Sequence, residues 1–98
     1  MLLAAVTEKE WLGQLIRWAE RGHFRTYHTL DSRGSAAGFP DLVCVRGPQL
    51  VFIEAKTQRG RVTPAQAEWL DALKAVTQVE TYLWRPSDED LVKRVLGA

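Results

Sequence analysis

The chain has 98 residues but only one cysteine, Cys44, and no long apolar run. A single cysteine excludes an intrachain disulfide framework and a cysteine-built zinc site, and it fits a reducing, cytoplasmic setting. No stretch approaches the roughly 20 apolar residues that span a bilayer, so no membrane span is expected. Leu2 to Val6 is apolar but lacks a basic flank and a long apolar region, so it does not read as a signal peptide. An excess of one charge is also missing, since 13 Lys and Arg stand against 12 Asp and Glu, a net charge of +1. That balance excludes a histone-like or tail-type polycation. It leaves room for a site where divalent cations supply the positive charge. There is no internal repeat and no low-complexity segment. What is present, 46% apolar and 26% charged residues, is the composition of one folded domain over 1–98. A domain this small buries a modest core and gains from self-association.

The order of elements reads as helix, three strands, helix, strand, helix. Thr7-Glu8-Lys9-Glu10 has the form of a capping box, with Thr7 as N-cap and Glu10 at N3. Trp11, Leu12, Leu15, Ile16 and Ala19 follow at helical spacing, and Gly22 is the expected stop. Phe24 to Leu30 reads as a strand and Asp31 to Gly38 as a loop. Leu42 to Arg46 and Leu50 to Lys56 form a hairpin around the Gly47-Pro48 turn. Thr57 to Val62 is a basic loop. Thr63-Pro64-Ala65-Gln66 opens a second helix through another capping box. Val79 to Trp84 is a fourth strand, able to return parallel to a neighbour. Ser87 is the expected cap of a last helix reaching Leu96. The fold class is α/β, a mixed sheet of about four strands flanked by helices. Trp11, Trp69 and Trp84 are expected in the core, with Trp18 partly exposed or interfacial.

Strand alternation places Glu54 and Lys56 on one face of the third strand. If the hairpin folds back, Asp41 at the start of the second strand meets them. Glu8 lies three and four positions before Trp11 and Leu12, so it shares the apolar face of the first helix and is expected to turn inward. An inward carboxylate is costly without a compensating cation or donor. Glu10 is rotated away and already caps the helix, so Glu8 is assigned to the site. Magnesium prefers hard oxygen ligands and keeps several waters. Asp41 and Glu54, with the backbone carbonyl of Ala55 and an outer contribution from Glu8, are the expected ligands. Such a metal polarises a phosphate and acidifies bound water. Lys56 can orient or deprotonate that water, or offset charge in the transition state. Gln66 stands between two readings, a cap and a member of the site. His23 and His28 are read as surface or packing residues.

These segments carry a resemblance along nearly the whole chain. Gly38-Phe39-Pro40-Asp41, Glu54-Ala55-Lys56 and downstream Gln66, with Tyr27-His28-Thr29 and Trp84-Arg85-Pro86, resemble the VRR-NUC family of the PD-(D/E)xK nuclease superfamily. The resemblance implies a restriction-endonuclease-like core. It places the family's metal-binding acids on Asp41 and Glu54, its lysine on Lys56, its helix-borne glutamate on Glu8 and its accessory glutamine on Gln66. Stand-alone members of phage and bacterial type are similar to archaeal Holliday junction resolvases.

That resemblance implies a structure-selective DNA endonuclease using Mg2+ or Mn2+, with no small-molecule cofactor, acting as a homodimer on four-way junctions. The dimer surface is expected near Trp18 and the last helix. Two other readings are a general, duplex or flap nuclease, and a non-catalytic nucleic-acid-binding protein on the same fold. Around the site, Arg33, Ser35, Arg59, Arg61, Lys9 and Arg25 are the candidate contacts to branched or duplex DNA. Such contacts would be phosphate-directed and salt-sensitive.

Overall fold

The computed structural model describes residues 6–29 and 36–98. Arg33, Ser35, most of the expected 31–38 loop and the expected strand end at Leu30 lie outside the described residues.

Helix α1, Glu8–Arg21, begins where its capping box puts it. The Glu10 N–H donates to Thr7 Oγ1 at 3.1 Å, and the Thr7 N–H donates to Glu10 Oε1 at 3.0 Å. Its buried face carries Trp11, Leu15, Trp18 and Ala19, the spacing of an amphipathic helix. Strands β1 (Arg25–His28), β2 (Leu42–Arg46) and β3 (Gln49–Ala55) follow, then α2 (Pro64–Lys74), β4 (Glu80–Trp84), a 3-10 turn (Pro86–Asp88) and α3 (Glu89–Leu96). The order matches the sequence expectation. The four strands lie in the order β1-β2-β3-β4, antiparallel except for the parallel β3–β4 pair. This mixed sheet flanked by helices is compatible with a restriction-endonuclease-like fold.

The strand ends shift for local reasons. Phe24 precedes β1 because its N–H still closes the helix end, donating to Ala19 O at 2.9 Å. Lys56 lies just past β3, yet its N–H donates to Trp84 O at 3.1 Å, so it keeps the strand's alternation.

One sheet face packs Leu42, Cys44, Val51, Ile53, Ala55 and Trp84 under α1 and α3. On the other face Phe39 meets Phe52 and Trp69 edge-on, at 6.0 and 5.0 Å between ring centroids. Trp11 and Trp84 are core residues as expected, while Trp69 is only half-buried. The expectation for Trp18 is corrected. It is buried, because α3 covers it and the Lys93 ammonium lies 5.2 Å from its ring centroid. Ser87 is likewise not the cap of α3. Asp88 holds that position, and Ser87 instead exchanges two hydrogen bonds of 3.0 Å with the Gln58 side chain.

Trp11 fixes how α1 sits on the sheet, since its buried indole N–H donates to Trp84 O at 2.9 Å. At the other end of the sheet Arg46 donates to the Gly22 carbonyl at 2.8 Å and stacks on Phe24 at 4.2 Å. Gly22 is required by packing, not by backbone freedom. Its φ is −80°, but a Cβ there would lie 1.7 Å from the Leu96 carbonyl oxygen. Gly22→Ala is therefore expected to destabilise the fold by about 1–3 kcal/mol, despite the entropic gain alanine usually brings. Urea unfolding read by tryptophan fluorescence measures this.

Candidate active site

The β2 and β3 strands bring the site together at one end of the sheet. Extending the register Leu42↔Ile53 by two residues sets Pro40 opposite Ala55. Proline has no N–H, so the ladder stops there. The Asp41 carboxylate takes over, accepting the Ala55 N–H at 3.0 Å. Asp41 is thereby tied beside Glu54 and Lys56, as the folded-back hairpin requires. Glu54 is 1% exposed and Lys56 7%. The Lys56 ammonium lies 3.7 Å from Glu54 Oε2 and 3.7 Å from Glu8 Oε1.

Glu8 joins the site but not by burial. Its side chain is 53% exposed, which corrects the inward expectation. The helical phase was read correctly, but Glu8 is the first residue of α1 and overhangs the end of the sheet. It reaches Lys56 from the rim.

Gln66 fills both of its readings at once. Its Oε1 accepts the Thr63 N–H at 2.9 Å, which completes the capping box, and its Nε2 donates to Glu54 Oε2 at 3.1 Å. The cap thus fixes the amide so that its donor end faces the carboxylate. Gly38 lets α2 come this close. Its φ is +85°, and a Cβ would lie 2.4 Å from the Ala65 carbonyl carbon.

The donor set fits a divalent cation. Glu8, Asp41 and Glu54 each offer a carboxylate oxygen within 4.8 Å of the others. Glu54 Oε1 is buried with no hydrogen-bond partner among the described residues, an atom that a cation or a proton would satisfy. Burial above all, then the nearby negative charge of Asp41, push the Glu54 carboxyl up to about 8, against the opposing pull of Lys56. Neither histidine belongs to the cluster. His28 instead lines an adjoining cleft with Thr29 and Lys9.

Of the basic candidates, Lys9 borders that cleft, while Arg59 borders a second depression with Val6, Thr57 and Gln58. Arg61 is exposed on the same loop. Arg25 is not brought to the site. It starts β1, three residues or about 10 Å of strand from His28. Sequence reasoning missed Arg85. Its Nη1 donates to the carbonyls of Thr57 and Gly60 at 2.7 and 2.8 Å, and so holds the loop that follows Lys56. Nothing local in the sequence signals this. For Gly38 the signal was present, a glycine two residues before Pro40.

An α/β nuclease core of the restriction-endonuclease-like kind is thus combined with an acid, acid, lysine cluster at the end of its central hairpin. The VRR-NUC domain profile matches residues 5–82, and the chain belongs to the VRR-NUC family, a nuclease family. A solved structure titled "VRR_NUC domain protein" superposes with a TM-score of 0.68 and 25% identity, over 94% of this chain and 86% of that one. No curated protein matches the chain significantly.

The raised Glu54 carboxyl sets a pH dependence. Its ordinary value is 4.5 and its folded value about 8, so the folded state holds a proton that the unfolded state releases. The stabilisation is complete below 4.5 and is lost as pH rises through 8. Metal-free protein is expected to melt at falling temperatures across that window, and Glu54→Gln is expected to flatten the trend. Added Mg2+ or Mn2+ should raise the melting temperature more at pH 8 than at pH 6, because only the ionised carboxylate binds. A melting temperature that rises across the window in metal-free protein would refute this assignment.

Proposed function

We propose that this chain, as a single nuclease domain, is a metal-dependent, structure-selective DNA endonuclease that hydrolyses phosphodiester bonds at four-way junctions as a homodimer. The observation that carries the reading is the cluster in which Glu8, Asp41 and Glu54 each offer a carboxylate oxygen within 4.8 Å of the others, with Lys56 alongside and Glu54 Oε1 buried without a hydrogen-bond partner among the described residues. Asp41 and Glu54 would hold Mg2+ or Mn2+, with the Ala55 carbonyl and Glu8 completing the set. Pro40 offers the Ala55 carbonyl no donor, which leaves that oxygen available. The bound cation supplies Lewis-acid polarisation of the phosphate and acidification of water.

The chain's own residues do the rest. Lys56, between Glu54 and Glu8, offsets charge building on the phosphate oxygens or orients the attacking water. Hydrolysis forms one P–O bond to that water and breaks another, leaving a phosphomonoester and a free hydroxyl. Gln66 holds Glu54 in place through its Nε2 hydrogen bond. Lys9, Arg59 and Arg61 would contact phosphates, Arg33 and Ser35 join them as sequence candidates, and Arg25 fits only a distant contact. A non-catalytic binder is disfavoured, because clustered carboxylates repel phosphate unless a cation lies between them. The one free cysteine, Cys44, is buried, which fits a reducing cytoplasm. No helix among the described residues is long and apolar enough to cross a membrane.

Burial of Trp18 leaves the last helix, whose Leu91 is 44% exposed, as the remaining expected dimer surface, and the sheet offers another. Tyr27 and Val45 are 69% and 41% exposed, and strand pairing puts both on one face of β1–β2. They offer a second copy apolar area. Two symmetric sites suit paired cuts in a four-way junction.

Purified protein is expected to cut a synthetic four-way junction faster than linear duplex with Mg2+ or Mn2+, and not with chelator. Asp41→Ala and Lys56→Ala should each cost roughly a hundredfold or more in rate. Unchanged cutting by Asp41→Ala, or cutting in chelator, would overturn the mechanism, and equal rates on duplex would replace junction selectivity with general nuclease activity. Sedimentation should give a dimer that Tyr27→Lys with Val45→Glu converts to monomer.

A further inference from the structure

A cleft of about 530 Å³ adjoins the carboxylate cluster, running between α1 and the end of β1. Glu8 and Asp41 border it, and Leu12, Gly13, Ile16 and His28 wall it. From Glu8 to Ile16 the helix advances about 12 Å. The volume lies within the range of small-molecule sites, roughly 300–1,000 Å³. Its walls are largely apolar side chains, with an imidazole able to donate or accept a hydrogen bond.

Gly13 is the informative residue. A glycine inside a helix costs about 1 kcal/mol relative to alanine. Packing explains Gly22 and Gly38, where a Cβ would strike backbone at 1.7 and 2.4 Å. Among the described residues it does not explain Gly13, where the nearest atom to a Cβ would be Arg17 Nη1 at 3.6 Å, an ordinary contact. The space a side chain would occupy belongs to the cleft.

A phosphodiester seated at the carboxylates carries a nucleoside on either side. The flat apolar face and polar edge of a nucleobase match this cleft. In a duplex that base is stacked and paired, and extracting it costs a few kcal/mol, least where it is already unpaired. We propose that the α1–β1 cleft receives one unpaired nucleoside of the strand being cut, next to the phosphate at the carboxylate cluster. The inference rests on the nuclease reading and deepens it. The substrate class becomes DNA with an unstacked nucleotide at the cut, as at a junction crossover, fork or bulge.

Gly13→Leu tests it, because leucine favours the helix while filling the cleft. The variant should melt at or above the wild-type temperature and keep the shift caused by Mg2+. With Mg2+ or Mn2+, wild type should cut a duplex bearing one unpaired nucleotide at least tenfold faster than the matched duplex. Gly13→Leu should lose at least tenfold on the unpaired substrate, with Gly13→Ala falling between the two. Wild-type rates in Gly13→Leu, or equal wild-type rates on paired and unpaired substrates, would overturn the cleft assignment while leaving the nuclease reading intact. A wild type that cuts no DNA would overturn both.

Discussion

Glu54 is a carboxylate at 1% exposure on the central strand of a small domain, and the architecture around it answers the cost of that burial. A buried ionised group must be paired, protonated or bound to metal. Each surrounding element meets part of this need. Lys56 comes from the end of the same strand, Asp41 from its antiparallel neighbour and Gln66 from the first turn of α2. These partners are incomplete, because one oxygen of Glu54 still lacks a hydrogen bond among the described residues. Such a shortfall wastes stability in a structural ion pair, but in a metal site it is the ligand position.

The scaffold is arranged so that these contributions arrive at one end of the sheet. Pro40 ends the β2–β3 ladder and frees Asp41 to reach the Ala55 N–H. Gly38 lets the backbone of α2 close in. The Trp11 indole anchors the start of α1 to β4, which brings Glu8 to the rim. Arg85 then fixes the loop after Lys56 through the carbonyls it binds. Each of these four residues sets where a member of the cluster can be.

Much of the site was legible because its spacing is local. Alternation along β3 put Glu54 beside Lys56, and a short turn put Asp41 across from them. The two readings of Gln66 proved to be one, since the cap that uses its oxygen leaves its nitrogen to donate. Helical phase located Glu8 on the correct side of α1 but could not say that the helix begins beyond the edge of the sheet, where water reaches it. Positive charge could not tell Lys9, near the carboxylates, from Arg25, near the opposite end of the strand. Nor could an amphipathic pattern reveal that α3 covers Trp18.

By itself the sequence determined the element order, the two capping boxes, the chemical types in the cluster and the family to which they belong. The elements, the caps and the cluster follow from periodicity and from contacts within a few residues, and the family from the resemblance its motif residues carry. Only the tertiary structure decided how exposed Glu8 is, why Gly22 and Gly38 must be glycine, that Arg85 holds the loop, and that Gly13 opens onto a cleft. Those features depend on atoms far apart in sequence that meet only when helices and sheet pack.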